Sequence, residues 1–146
     1  MNSVEIVDNG KALSDADHQR FSNIALQTLK FLAKDKNEVT IVFSDDHEIQ
    51  HLNKQFAKND YPTDVLSFSA DQIDPETGLN YLGDIVISIG KAQIQAQENN
   101  IHLFEELTTL LIHGVLHLCG FDHADDNSEN EMFALQKTIF DQIEGF

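Results

Sequence analysis

Cysteine, basic residues and long apolar runs are scarce in this chain of 146 residues. Its single cysteine, Cys119, cannot form an internal disulfide, which excludes the disulfide-stabilised secreted scaffolds and favours a reducing compartment. No stretch approaches the roughly 18 to 20 consecutive apolar residues of a membrane span. The N-terminal residues also lack the basic flank and apolar core of an export signal. We therefore expect a cytoplasmic protein without a membrane partner.

Positive charge is the most pronounced shortage. Nine Lys and Arg stand against 25 Asp and Glu, which gives a formal net charge of -16. Because phosphate binding relies on basic side chains, this balance taken alone argues against a nucleic-acid or anionic lipid partner. Residues 101–146 carry one basic and nine acidic side chains, a net charge of -8. Such a region is unfavourable for phosphate but favourable for a divalent cation.

The composition is otherwise globular, with 41% hydrophobic residues. The length predicts one domain, residues 1–146. Apolar and β-branched runs predict four strands, at residues 4–7, 39–43, 63–68 and 83–89. The last run is almost continuously apolar, which is typical of an interior strand. Helical periodicity and capping residues predict five helices, at residues 14–34, 45–58, 91–99, 104–119 and 128–143. With strands early and helices late, we predict an α+β domain in which about five helices cover a small mixed sheet of about four strands.

Residues 47–51 read HExxH, a zinc-peptidase signature with two histidine ligands and a glutamate base. On a helical wheel, however, Ile49, Leu52 and Phe56 form one apolar face and the two histidines lie opposite. Zinc ligands must face a cleft where a third ligand can reach them. We therefore interpret this match as a solvent-facing coincidence.

A second histidine pair, His113 and His117, lies in a segment that is apolar in nearly every direction of the wheel. Only one narrow stripe is polar, and it consists of Glu106, Thr109, His113 and His117. A helix of this kind is buried. Buried imidazoles must be hydrogen-bonded or metal-bound, since an unsatisfied polar group costs roughly 1 to 3 kcal/mol. Two hydrogen-bonded core histidines are the simpler alternative to a metal site.

The residues that follow favour the metal. Gly120 is placed to form a left-handed helix cap, and His123 follows three residues later, which completes the spacing HxxxHxxGxxH. Metzincin zinc peptidases share this spacing, but Gly114 stands where they carry their catalytic glutamate. Three imidazoles leave a fourth position for water. We therefore predict one catalytic Zn²⁺ per chain, held by His113, His117 and His123, although nickel also accepts three imidazoles.

Four other residues, Cys119, Asp122, Asp125 and Asp126, lie near the histidines in the sequence. Cys119 lies away from the histidine stripe on the wheel, so we predict a buried, inert thiol rather than a fourth ligand. Asp122, Asp125 and Asp126 either orient His123 or cap the last helix. The pattern alone leaves both roles open.

Three segments resemble a known family. Residues 113–123, HGVLHLCGFDH, are similar to HGxLHLxGYDH with Phe121 in place of tyrosine. Residues 52–68, with LN and DYPTDVLSF, and residues 82–88, LGDIVIS, are similar to the other two motifs, in the same order. The family is YbeY, the single-domain zinc-dependent endoribonucleases of ribosomal RNA maturation. The resemblance implies an α+β fold, zinc on the three histidines, and hydrolysis of single-stranded RNA in small-subunit rRNA maturation and ribosome quality control.

One departure concerns RNA binding. Where the family usually carries an arginine, this chain has Ala57. Lys54 and Lys58 are the candidate RNA contacts in its place, although a lysine offers a point charge rather than a planar fork. The alternative is that both are ordinary surface lysines.

For the reaction we predict that zinc polarises the phosphate and activates a water to attack phosphorus, with His117 as the catalytic residue. The predicted partners are precursor rRNA and the small ribosomal subunit or its proteins, and not DNA. Two alternatives remain: a metzincin-like zinc peptidase, and a non-catalytic ribosome-assembly factor with a structural zinc that reaches RNA through a basic ribosomal protein. With so few cations, we expect RNA binding that is weak and sensitive to salt.

Overall fold

The computed structural model describes residues 1–8, 10–44, 65–121 and 125–143. These residues form four strands and four helices, in the order β1 (Ser3–Asp8), α1 (Asp15–Phe31), β2 (Asn37–Ser44), β3 (Val65–Ile73), β4 (Asn80–Ser88), α2 (Ile89–Glu98), α3 (Leu103–Leu118) and α4 (Asp126–Gln142). Each of them overlaps a predicted element of the same type. The helix predicted at residues 45–58 lies outside the described residues. Within the described ranges, no helix is long and apolar enough to cross a membrane.

The four strands form one mixed sheet in the order β1-β2-β4-β3. Strands β1, β2 and β4 are parallel, and β3 pairs antiparallel with β4 at the edge. Strand β4 is interior, as its nearly unbroken apolar run predicted. The predicted α+β class with a small mixed sheet is therefore confirmed.

Strand β3 is longer than the sequence predicted. It begins at Val65 and continues to Ile73, because its pairing with β4 resumes after a bulge between Ser69 and Gln72. Residues 69–73 are exposed, so they show no apolar periodicity from which a strand could be predicted. The edge of the sheet thus extends five residues beyond the predicted end.

Helix α3 is the centre of the hydrophobic core. It contacts the other three helices and the strands β3 and β4. The largest fully buried side chains come from every layer around it: Phe21, Leu29, Ile41, Ile85, Ile87, Leu107, Leu111, Ile112, Leu116, Met132 and Ile139. A side chain on α3 is therefore held by packing from all sides.

Three helices begin at a side chain that accepts a backbone hydrogen bond. Ser14 accepts from Asp17 N at 3.1 Å, and Ser88 accepts from Lys91 N at 3.2 Å. Asp125 accepts from Ser128 N at 2.7 Å and so caps α4. The main-chain and side-chain hydrogen bonds of Ser128 lower the pKa of the Asp125 carboxyl. Capping, one of the two roles left open for Asp125, is the one that the structure shows.

Asp8 ties the end of β1 to the start of α1. Its side chain is only 2% exposed and accepts backbone N–H groups of Ala12 at 3.1 Å and Leu13 at 2.9 Å. His18 Nε2 lies 2.9 Å from the same carboxylate. Burial acts to raise the pKa of Asp8, but the hydrogen bonds with His18, Leu13 and Ala12 outweigh it and hold the pKa below its ordinary value of 3.8. The fold therefore favours the ionised carboxylate.

This lowered pKa predicts a pH-dependent stability. A carboxyl whose pKa is lower in the folded state stabilises the fold above its unfolded pKa and loses that effect as the pH falls through the folded pKa. We expect Asp8→Asn to lower the free energy of unfolding by about 1.5 to 3 kcal/mol at pH 7, the range for hydrogen bonds to a charged group. The difference in free energy of unfolding between Asp8→Asn and wild type should become smaller below about pH 4.

Urea unfolding at pH 7 and pH 3 measures the stability difference between Asp8→Asn and wild type. Asp15→Asn is the matched control, because that carboxylate also lies near His18, at 3.9 Å, but is fully exposed. It should leave the stability nearly unchanged at both pH values. A gap of equal size at pH 7 and pH 3 for Asp8→Asn would contradict the linkage.

Candidate metal centre

Helix α3 brings two histidines together in a buried setting, as predicted. Eleven of its 16 residues are buried. His113 is 9% exposed and His117 is half-buried. Their rings meet edge to face with centroids 4.6 Å apart, and the two Nε2 atoms are 3.1 Å apart. Successive turns of one helix thus bring the two nitrogens close together.

The spacing of these nitrogens fits a shared zinc ion. Two nitrogens at about 2.0 to 2.1 Å from one tetrahedral zinc lie about 3.3 Å from each other. The observed 3.1 Å between His113 and His117 is within a few tenths of an ångström of that value. Neutral imidazoles are also ligands that zinc prefers. The separation of the two nitrogens therefore suits a common ion.

The third ligand, however, is not visible in this geometry. Among the described residues, no group of three His, Cys, Asp or Glu side chains is placed to hold a metal ion. His123, the predicted third ligand, lies outside the described residues, and so do His47, Glu48, His51, Lys54, Ala57 and Lys58. The three-histidine site stays a prediction.

The turn after α3 is formed as the sequence predicted. Gly120 has φ +101, a conformation that residues with a Cβ rarely adopt. Its N–H donates to His117 O at 3.0 Å, and Phe121 N–H donates to Leu116 O at 3.0 Å, which together make a Schellman motif. The half-buried Phe121 ring packs against the core. The chain therefore leaves the helix in a fixed direction just after His117.

Gly114, next to His113, has no room for a side chain. A Cβ at this position would lie 2.5 Å from Cγ2 of Ile85, a fully buried residue of β4. The helix α3 therefore packs closely against β4 at Gly114, which lies between the two histidines in the sequence. The peptidase alternative needs a glutamate base at residue 114. The packing therefore argues against a peptidase, beyond the mere absence of that glutamate.

Gln136 is a site residue that sequence reasoning missed. It lies on α4, and its Oε1 atom accepts a hydrogen bond from His113 Nδ1 at 2.8 Å. The nearby Phe133 ring is nearly parallel to the His113 ring, at 25° and 6.3 Å between centroids. One signal was present in the sequence: Gln136 is four residues after Met132 and three before Ile139, so it shares their inward face. Periodicity does not say which residue faces it.

Cys119 behaves as predicted. It is half-buried against the core and follows directly after α3. Burial raises the pKa of its thiol, with a smaller opposing effect from the positive charge of Lys34. A thiol with a raised pKa is a poor nucleophile at neutral pH, which agrees with an inert packing role.

Comparisons with known proteins place this geometry in context. A family model described as Endoribonuclease YbeY matches residues 6–144. A protein of that name from Treponema denticola is 39% identical over 144 residues, which cover 97% of this chain and 93% of the relative. Another, from Persephonella marina, is 43% identical over 119 residues, covering 81% and 78%. The solution structure of a Thermotoga maritima protein matches with a TM-score of 0.65 at 30% identity and covers 94% of this chain and 87% of that one.

Proposed function

The chain belongs to the YbeY family, and from this membership we propose that it is a zinc-dependent endoribonuclease that hydrolyses single-stranded RNA. We place its activity in the cytoplasm, in small-subunit rRNA maturation and ribosome quality control. The relatives are named endoribonucleases, which supports RNA as the substrate. The zinc ion and the role in rRNA maturation go beyond what the names of the relatives state.

The observation that carries the proposal is the pair of Nε2 atoms of His113 and His117, 3.1 Å apart on a buried helix. A zinc ion held there together with His123 would supply a Lewis acid for the phosphate and a water whose pKa is lowered toward about 7. The contact between Gly114 and Ile85 fixes the helix that carries the pair. The Gly120 turn fixes how the chain leaves the helix, three residues before His123 in the sequence. The packing of α3 thus supports a fixed placement of His113 and His117.

Charge explains how an acidic protein can act on RNA. Residues 101–146 carry a net charge of -8, and a bound divalent cation would offset part of it at the point where a phosphate must approach. Lys137 is the only basic residue of that region, and it pairs with Asp141 at 3.2 Å on the surface. We therefore propose that Lys54 and Lys58 supply the remaining phosphate contacts.

The same charge supports a role for the ribosome in delivering the substrate. An acidic surface attracts basic partners, and ribosomal proteins of the small subunit are of that kind. Few lysines make weak contacts with free RNA, and those contacts weaken further with salt. We propose that the precursor rRNA reaches the site on the small subunit, bound to its proteins.

Removal of the metal tests the proposal. Purified protein treated with a chelator should lose cleavage of single-stranded RNA, and added Zn²⁺ should restore it, because the reaction depends on the ion for its nucleophile. Cleavage is followed on a labelled single-stranded RNA by gel electrophoresis. A duplex of the same sequence and an unstructured protein substrate serve as controls, and both should remain intact.

The other possible outcomes of this experiment distinguish the alternative functions. RNA cleavage that survives complete removal of the metal contradicts a zinc enzyme. Metal-dependent hydrolysis of the protein substrate would instead support a peptidase. Zinc that is bound by four protein ligands, with no RNA cleavage, would support an assembly factor with a structural ion.

A further inference from the structure

One hydrogen bond joins the proposed metal site to helix α4. His113 Nδ1 lies 2.8 Å from Oε1 of Gln136. An amide oxygen only accepts hydrogen bonds, so the ring proton of His113 is on Nδ1. The Nε2 atom of His113 then presents a lone pair, the form in which a neutral imidazole binds a metal. Gln136 thus selects the tautomer of His113 that suits a ligand.

Helix α4 holds Gln136 in place independently of the histidines. Met132 and Ile139, one turn before and one turn after it, are each 1% exposed and fix the inward face of the helix. The cap at Asp125 fixes where the helix begins. Phe133 flanks the His113 ring on the same side. The acceptor of the His113 proton is therefore part of the packed structure.

The lone pair of His113 Nε2 lies beside the second proposed ligand. The Nε2 atoms of His113 and His117 are 3.1 Å apart, close to the separation of about 3.3 Å expected for two nitrogens on one tetrahedral zinc ion. With its proton on Nδ1, His113 can bind an ion there without a change of tautomer.

We propose that Gln136 is a positioning residue: it orients His113 and fixes its tautomer for metal binding. The proposal rests on the metal site proposed above. Metal-bound histidines commonly donate their second N–H to a carboxylate or carbonyl, and loss of that partner costs about 10- to 100-fold in metal affinity. A neutral amide fills this role here, so the imidazole gains orientation without the added basicity that a carboxylate gives.

Two variants of Gln136 test this role, with zinc affinity measured by competition against a chromophoric chelator. Gln136→Leu keeps a similar volume but removes the acceptor, and we expect zinc affinity to fall about 10- to 100-fold. Gln136→Glu restores a stronger acceptor and should bind zinc at least as tightly as wild type. Gln142→Leu, at an exposed position of the same helix, is the matched control and should leave the affinity unchanged.

A second measurement needs no metal. Long-range ¹H–¹⁵N spectra of chelator-treated protein report which ring nitrogen of each histidine carries the proton. We expect His113 in wild type to carry its proton on Nδ1, because Gln136 Oε1 can only accept a hydrogen bond. In Gln136→Leu the preference of His113 should disappear, while circular dichroism confirms that the helices remain.

The outcomes separate this inference from the proposed function. An unchanged His113 tautomer in Gln136→Leu overturns the role of Gln136, and so does unchanged zinc affinity. If wild type binds no zinc at all, the proposed function fails, but the spectra still decide whether Gln136 fixes the tautomer. If zinc binding and the Gln136 effect are present while RNA is not cleaved, the positioning role stands and the nuclease proposal falls.

Discussion

Replacement of His117 by alanine is expected to weaken zinc binding by about 10²- to 10³-fold and, with it, to abolish cleavage of RNA. Protein zinc sites release about 10 to 16 kcal/mol on binding, so the loss of one of three ligands removes about 3 to 5 kcal/mol. At about 1.4 kcal/mol for each factor of ten, this is at least a 10²- to 10³-fold loss of affinity. His113→Ala should give the same result, because its Nε2 atom lies 3.1 Å from that of His117 and would bind the same ion. Metal content after dialysis and gel assays of RNA cleavage measure the two effects.

His102→Ala provides the matched control. His102 is an exposed histidine on the N-terminal side of the same helix, and its side chain makes no capping hydrogen bond. This variant should keep the zinc content and the activity of wild type. Thermal unfolding of all three variants shows whether the fold is intact. If folded His117→Ala retains full zinc content and cleaves RNA at the wild-type rate, the metal site is elsewhere.

Gly83→Ala is the change with the largest expected effect on folding. Gly83 has φ +140, and a Cβ there would lie 2.0 Å from the carbonyl oxygen of Phe68 on the neighbouring strand. Backbone cannot move aside as a flexible side chain can, so β3 would have to separate from β4. We expect a loss of about 4 kcal/mol or more, an exceptional value for one methyl group. For a domain with a stability of about 5 to 15 kcal/mol, this loss would remove between about a quarter and four fifths of the free energy of unfolding.

Urea unfolding followed by circular dichroism measures this loss, and two other glycines calibrate it. Gly78 also has a positive φ, of +74, but a Cβ there meets nothing within 4 Å, so Gly78→Ala should cost only about 1 to 2 kcal/mol of backbone strain. Gly114→Ala meets a side chain rather than backbone and should fall between them, at about 3 kcal/mol, the upper end of the range for an overpacked core. A Gly83→Ala protein as stable as Gly78→Ala would contradict the tight approach of the two strands.

The fold was predictable wherever a short segment carried its own signal. The Ser14 cap, the unbroken apolar run of β4 and the buried periodicity of α3 each depend on residues a few positions apart. The positive φ of Gly120 was also predictable from the local sequence, because a Schellman turn is completed within six residues. The end of β3 at Ile73 was missed, since exposed polar residues extend a strand only through pairing with its neighbour.

The pairing of His113 with His117 is the part of the candidate site that the sequence determined by itself. Residues four apart on a helix are neighbours by backbone geometry alone, and the apolar surroundings showed that the pair is buried. Three features were decided only by the tertiary structure: the Gln136 partner of His113, the lack of space at Gly114, and the close approach of Gly83 to Phe68. Each joins residues from different helices or strands. Such contacts depend on how those elements pack, which no local pattern in the chain encodes.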